Sequence, residues 1–166
     1  MSVPLKPPPK QMPEFILGID PGKLTGIALL HTPAPLTSYQ GWELDLVTGG
    51  ALIKDICEQC GPRLHVACEQ FTIGMRTIKN TATAHFSIEM IGVARYFCQT
   101  YTGWDLKMYE QKAAGFSTDD RLRAMGWYHP TPNGHMNDAG RQALKHLVEC
   151  GFRDERLWPD EAAIKV

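Results

Sequence analysis

The sequence predicts an α/β fold, a mixed five-stranded sheet flanked by helices. Three observations carry this expectation. Short apolar runs bounded by proline, glycine or charged residues recur at the length of strands rather than helices. The first three runs are joined by connections too short for a crossover helix, which makes them antiparallel neighbours. After them, stretches with helical spacing alternate with further strand-like runs, so the sheet as a whole is mixed.

Phe15 to Asp20 is the first strand, an apolar run that stops at the tight turn Pro21-Gly22. Thr25 to His31 is the second, and Pro33 and Pro35 separate it from a third near Thr37 to Leu46. Val47 to Cys60 has helical spacing at Leu52, Ile53 and Ile56, and Gly61-Pro62 closes it. Leu64 to Cys68 reads as a short central strand. A long helix follows, from about Thr81 to Thr100, whose apolar residues cover far more than one stripe. Such a helix is buried on more than one side, so one side should face the sheet and another a second subunit. Leu106 to Tyr109 is the fifth strand. Ser117 and Asp120 resemble an N-cap and acidic first turn, opening a helix to about Ala124. Tyr128 to Gly134, with its prolines and glycine, reads as a loop before a last helix from about Met136 to Cys150.

A chain of 166 residues can bury the core of one domain, and 43% hydrophobic with 21% charged residues excludes the disordered and membrane classes. No stretch approaches the roughly 20 apolar residues of a membrane span. Residues 1–13 are proline-rich without the apolar centre of a secretory signal, and read as a flexible or extended arm. The domain is then expected over 14–153, with a C-terminal tail over 154–166. Cys57 and Cys60 form a C-x-x-C, but Cys68, Cys98 and Cys150 offer no second pair at zinc-ribbon spacing. The cysteines therefore read as structural or incidental, in a reducing cytoplasm. A net charge of −1 and a pI near 6.6 are unlike the strongly basic balance of many nucleic-acid binders. They leave room for a metal nuclease, where bound cations restore positive charge at the phosphate site.

Three acidic segments carry the chemistry. Asp20 ends the first strand between Gly18 and Gly22, which leave room for a ligand or another backbone; it can also be read as a turn aspartate capping its own loop. Glu69 follows the run Leu64 to Cys68. A carboxylate ending a buried strand costs several kcal/mol unless paired or metal-bound, although Glu69 can also lie just past the strand, on the surface. His135 and Asp138 stand three apart at the start of the last helix, on one face, where the helix dipole favours an ionised carboxylate. Each of the two has an ordinary structural reading when taken alone. Together, carboxylates from distant segments with one imidazole form an oxygen-rich set suited to Mg²⁺ or Mn²⁺. Two such ions about 4 Å apart can drive phosphodiester cleavage.

These residues resemble a known family. Ile16-Leu17-Gly18-Ile19-Asp20-Pro21-Gly22, with Thr25-Gly26 after it, resembles the first motif of the RuvC-type Holliday junction resolvases. Cys68-Glu69-Gln70-Phe71, followed by Lys79-Asn80, resembles the second, and His135-Met136-Asn137-Asp138-Ala139 the last. The resemblance spans about Phe15 to Cys150. It implies a ribonuclease H-like fold and a homodimer that nicks four-way junctions symmetrically with two Mg²⁺ or Mn²⁺ ions. It also implies Asp20, Glu69, His135 and Asp138 as catalytic metal ligands, Asp20 bridging the ions and His135 replacing an acidic residue of some relatives. Phe71 matches an aromatic that stacks on bases at the crossover, though it can equally be a core phenylalanine. Lys112 matches a lysine near the scissile phosphate, and is equally read as a solvated surface lysine. The segment Gln111 to Arg123 is less lysine-rich than the family's, so Arg76 and Lys79 are candidate DNA contacts as well.

Three alternatives stand beside this reading: a non-catalytic branched-DNA binding module, an actin-like or sugar-kinase phosphotransferase, and a nuclease for forks, other branched DNA or RNA–DNA hybrids. The complete ligand set argues against the first, and the chain is too short for the second domain of the phosphotransferase. The sequence separates the third poorly from junction cutting and leaves a branch-migration motor partner open.

Overall fold

The computed structural model describes residues 6–32, 38–71, 81–110 and 115–158. Five strands form one sheet: β1 (Phe15–Asp20), β2 (Thr25–His31), β3 (Ser38–Leu44), β4 (Leu64–Glu69) and β5 (Lys107–Tyr109), in the order β3-β2-β1-β4-β5. β1 pairs antiparallel with β2, and β2 with β3; β1 pairs parallel with β4, and β4 with β5. The sheet is mixed, as the connection lengths required. Among the described residues, four helices cover it: α1 (Leu46–Cys60), α2 (Thr81–Thr102), α3 (Asp119–Met125) and α4 (His135–Glu149). Among the described residues, no helix is long and apolar enough to cross a membrane.

Strand alternation sorts the two sides of the sheet. Leu17 and Ile19 of β1 and Leu64, Val66 and Cys68 of β4 join one core with Ile53, Ile56 and Cys57 of α1 and Met90, Ala94 and Cys98 of α2. Ile16 of β1, Leu30 of β2 and Ala67 of β4 join the other, under α3 and α4, with Leu122, Ala143, Leu144 and Leu147. Asp20 has the parity of Ile16, and Glu69 and His65 that of Ala67. All three polar residues therefore belong to the α4 side.

Helix ends depart from the expected positions for identifiable reasons. α1 begins one residue earlier than its hydrophobic pattern, because Asp45 Oδ1 accepts from the Val47 and Thr48 amides at 2.9 and 3.0 Å. The cap of α3 is Thr118, whose Oγ1 accepts from the Arg121 amide, and not the expected Ser117. Ser117 is fully buried instead, its hydroxyl without a hydrogen-bond partner among the described residues. Gly126 (φ 76°) ends α3 in the left-handed conformation, one residue beyond the expected stop. The fifth strand starts at Lys107 rather than Leu106, and α4 starts at His135 rather than Met136.

Within one chain, α2 buries the side expected to face the sheet. Met90, Ala94 and Cys98 are buried against the sheet, while Ile88 and Tyr96 on the opposite side are 50% and 65% exposed. At the ends of the chain, the Lys6 carbonyl accepts from the Asp105 amide at 2.8 Å, and the Thr32 hydroxyl donates to the Pro13 carbonyl. The turn Glu155–Leu157 places Leu157, fully buried, in the core under α3 and α4.

Candidate active site

The position of α4 on the sheet depends on two glycines. A Cβ at Gly18 would overlap the Ala139 carbonyl, and one at Gly26 would overlap the His135 carbonyl. The helix backbone thus lies directly on β1 and β2, closer than any side chain allows. Its first turn is fixed from outside the helix. Gly134 (φ 77°) precedes His135 and has no side chain to cap with. Glu43 of β3 supplies the missing acceptor: its carboxylate takes bonds from the Met136 amide (3.2 Å), the Thr131 hydroxyl (2.8 Å) and the Asn133 amide (3.3 Å). Burial alone would raise the Glu43 pKa, but these bonds leave it lowered on balance. Asn137 ties the preceding loop down through the His129 amide and carbonyl, at 3.0 and 2.7 Å.

This construction brings His135 to the end of β1. His135 Nδ1 lies 2.7 Å from Asp20 Oδ2, and ligand atoms of Asp20, His135 and Asp138 all fall within 4.8 Å of one another. Asp20 is nearly buried, whereas the side chains of His135 and Asp138 are about one-third exposed, at 37% and 31%. Residues from two distant segments, all expected as ligands, therefore meet at one sheet edge. Glu69 ends β4, the strand beside β1, and is not part of that tight trio. Its carboxylate accepts from Gln142 Nε2 at 3.2 Å.

Burial and mutual repulsion disfavour the ionised carboxylates of the site. Burial pushes the Glu69 carboxyl up to about 7, and the charge of Asp20 adds to the shift against the opposing bond from Gln142. Burial also raises Asp20 above the usual carboxylate range, although the contact with His135 opposes it. Carboxylates gathered where their charge is poorly solvated are stabilised by a divalent ion, which reverses the sign of the local field. The donor set fits Mg²⁺ or Mn²⁺: Asp20, His135 and Asp138 would offer such an ion carboxylate oxygens with one imidazole, close enough together for one ion to be held. Arg141 supplies a counter-charge of its own, paired with both Asp138 and Asp119.

Arg141, Gln142 and Glu43 were not expected from the sequence. Gln142 lies four residues after Asp138, on the helix face that carries the candidate ligands, and Arg141 three after it; that spacing was a readable signal. Glu43 left none, because its partners lie 88 or more residues away. Phe71 is half-buried just past β4. Arg76, Lys79 and Lys112 lie outside the described residues.

The arrangement is the ribonuclease H-like fold expected from the sequence: a mixed five-stranded sheet, carboxylates at adjacent strand ends and a late helix packed over them. A solved structure, "T. thermophilus RuvC in complex with Holliday junction substrate", has the same fold, with a TM-score of 0.59 at 16% sequence identity. The match covers 82% of this chain and 96% of that one. No protein-family model matches the chain, and neither does any curated protein sequence.

Proposed function

We propose that this protein is a metal-dependent endonuclease for branched DNA, resolving four-way junctions by paired nicks. One observation carries the reading: Asp20, His135 and Asp138 converge at the sheet edge, with Glu69 on the adjoining strand, on a fold shared with a junction-bound RuvC. Asp20, Glu69, His135 and Asp138 would hold Mg²⁺ or Mn²⁺, in a two-ion arrangement. Bound there, such ions supply Lewis-acid activation of water and stabilise the leaving oxygen. The protein's part is positioning. Glu43 and the two glycines hold the first turn of α4, His135 bonds Asp20, and Gln142 orients Glu69. Phe71, Arg76, Lys79 and Lys112 are the proposed DNA contacts, Phe71 by stacking on bases near the crossover.

Paired nicking requires two active sites, and the uncovered side of α2, with Ile88 and Tyr96 exposed, is the proposed homodimer face. Wild type is expected to sediment as a dimer at micromolar concentration; a monomer even with junction DNA present removes this part of the proposal. The function is tested with a synthetic four-way junction alongside a fork, an RNA–DNA hybrid and linear duplex, in Mg²⁺ or Mn²⁺. Wild type should nick the junction in opposed strands. Asp20→Asn should lower the rate about 10³-fold or more while leaving junction binding intact, since several kcal/mol of charge stabilisation is lost. Cutting by Asp20→Asn at the wild-type rate overturns the assignment, and preference for fork or hybrid transfers the activity to that substrate.

A further inference from the structure

A second cluster of ligating side chains lies at the other end of α4. His65 of β4 points to the same side of the sheet as Glu69, four residues earlier and about 13 Å along the strand. His146 and Cys150 lie four apart at the end of α4, on one face. His146 Nε2 is 3.0 Å from His65 Nδ1 and 3.6 Å from Cys150 Sγ, and ligand atoms of all three fall within 4.8 Å of one another.

We propose that His65, His146 and Cys150 form a second metal site, of nitrogen and sulfur donors, that takes Zn²⁺ or a similar borderline-soft cation. A tetrahedral zinc at ordinary bond lengths sets its nitrogen ligands about 3.4 Å apart and a nitrogen and a sulfur about 3.6 Å apart. The His146–Cys150 separation already meets that value, and the two imidazoles need open by only a few tenths of an ångström. Both imidazoles are buried, at 2% and 4% exposure, with their ring nitrogens turned toward each other. Binding requires Cys150 to release its proton to solvent and His65 to move its own from Nδ1 to Nε2; His146 changes nothing.

The outer partners of such a site are in place. His146 Nδ1 lies 2.9 Å from the Tyr109 hydroxyl, which donates to Glu149 Oε2 at 2.8 Å. With Nδ1 protonated, His146 keeps Nε2 free for metal and passes a hydrogen bond outward to a carboxylate, the arrangement that orients ligating histidines. The Lys107 ammonium opposes a cation here, but it lies 3.8 Å from Glu149, which offsets its charge. A groove of about 640 Å³, walled by Pro7, Pro9 and Lys10, reaches His146 and Cys150. It offers an entry path and room for a water as fourth ligand. A metal here would tie β4 to α4, the two elements whose other ends carry Glu69 and His135.

The test is a titration of metal-free protein with Co²⁺, read in the thiolate-to-cobalt charge-transfer absorption. Wild type should develop the band to saturation at one equivalent and lose it on addition of Zn²⁺. Cys150→Ser should abolish the band, and Cys57→Ser should retain it. Absence of the band in wild type, or its survival in Cys150→Ser, overturns the site. If Cys150→Ser does not fold, the wild-type titration decides alone. Tyr109→Phe leaves every ligand but removes the partner of His146 Nδ1, and should lower Zn²⁺ affinity about 10–100-fold in competition with a chelator. Unchanged affinity would overturn the role of Tyr109 as a positioning residue.

Discussion

The two ends of the contact between β4 and α4 are built from one scaffold and made into opposite environments. Glu69 meets Gln142 at one end and His65 meets His146 at the other. The strand and helix therefore run antiparallel, with the candidate active site and the histidine pair on the same packed face. At the active-site end the donors are carboxylates plus one imidazole, and His135 and Asp138 remain open to solvent. At the far end His65 and His146 are buried, at 2% and 4% exposure, and the third donor is sulfur. The difference lies in what burial does to each group. Burial raises the Asp20 and Glu69 carboxyls above the usual carboxylate range, and a cation bound at that end would restore their ionised forms. Deep burial keeps the imidazoles neutral, so the far end is stable without any ion.

The largest expected effect breaks one end and spares the other. Gly26→Val places a branched side chain where the His135 carbonyl lies, and the first turn of α4 must move. A shift of about 1 Å in a positioned group can cost on the order of 10²-fold in rate, and overpacking typically costs 1–3 kcal/mol of stability. Junction nicking should therefore fall about 100-fold or more and the Tm should drop. The Co²⁺ band that depends on Cys150 should persist, since the far end of the helix does not touch Gly26. Wild-type nicking by Gly26→Val would mean that the glycine contact does not hold the active-site geometry.

The next effect acts on the far end alone. In metal-free protein, His65 and His146 have folded pKa values of about 4 and 3, against 6.5 for the ordinary side chain. The unfolded chain then binds more protons than the folded one between these limits, so stability falls with acidity. Their contribution is fully present above about pH 6.5 and is lost as pH drops through 4 toward 3, on the order of several kcal/mol for the pair. Denaturant unfolding of the chelator-treated protein at pH 7, 5 and 4 should show this decline. The double variant His65→Gln with His146→Gln should flatten it. An equally steep decline in that variant would assign acid sensitivity to the carboxylates of the other end.

The comparison also explains which parts of the molecule were legible in the sequence. Asp20 and Glu69 could be read because each ends a short, largely apolar strand, and His135 and Asp138 because they open a helix after a proline-glycine loop. Those signals are local, and the structure brings ligand atoms of Asp20, His135 and Asp138 within 4.8 Å of one another. The histidine–tyrosine chain was not legible. His65 and His146 are 81 residues apart, Tyr109 and His146 37 apart, and each taken singly sits inside an ordinary strand or helix. The cap of α3 was misplaced by one residue for a related reason. Ser117 and Thr118 are both capable caps; Ser117 is buried, and Thr118 provides the hydroxyl that caps the helix. The outer side of α2, which the sequence assigned to a second subunit, keeps Ile88 and Tyr96 exposed among the described residues.

The smallest effect is expected midway along the helix. Gln142 lies one turn from Asp138 and one turn from His146, is nearly buried, and spends its amide on Glu69 Oε2. Gln142→Ala removes a bond that lowers the Glu69 pKa, so Glu69 would take up protons more readily near neutral pH. It also removes the group that aims the carboxylate. Loss of an outer partner of a metal ligand typically costs 10–100-fold in affinity or activity. Because Glu69 stands outside the tight trio, the low end of that range is expected: about a tenfold rise in the Mg²⁺ concentration needed for half-maximal nicking. Raising the pH should recover part of the loss, since it restores the ionised carboxylate but not its orientation. Full recovery would make Gln142 purely an electrostatic partner, and no recovery purely a positioning one. An unchanged Mg²⁺ requirement would detach Glu69 from metal binding and leave Asp20, His135 and Asp138 as the whole ligand set.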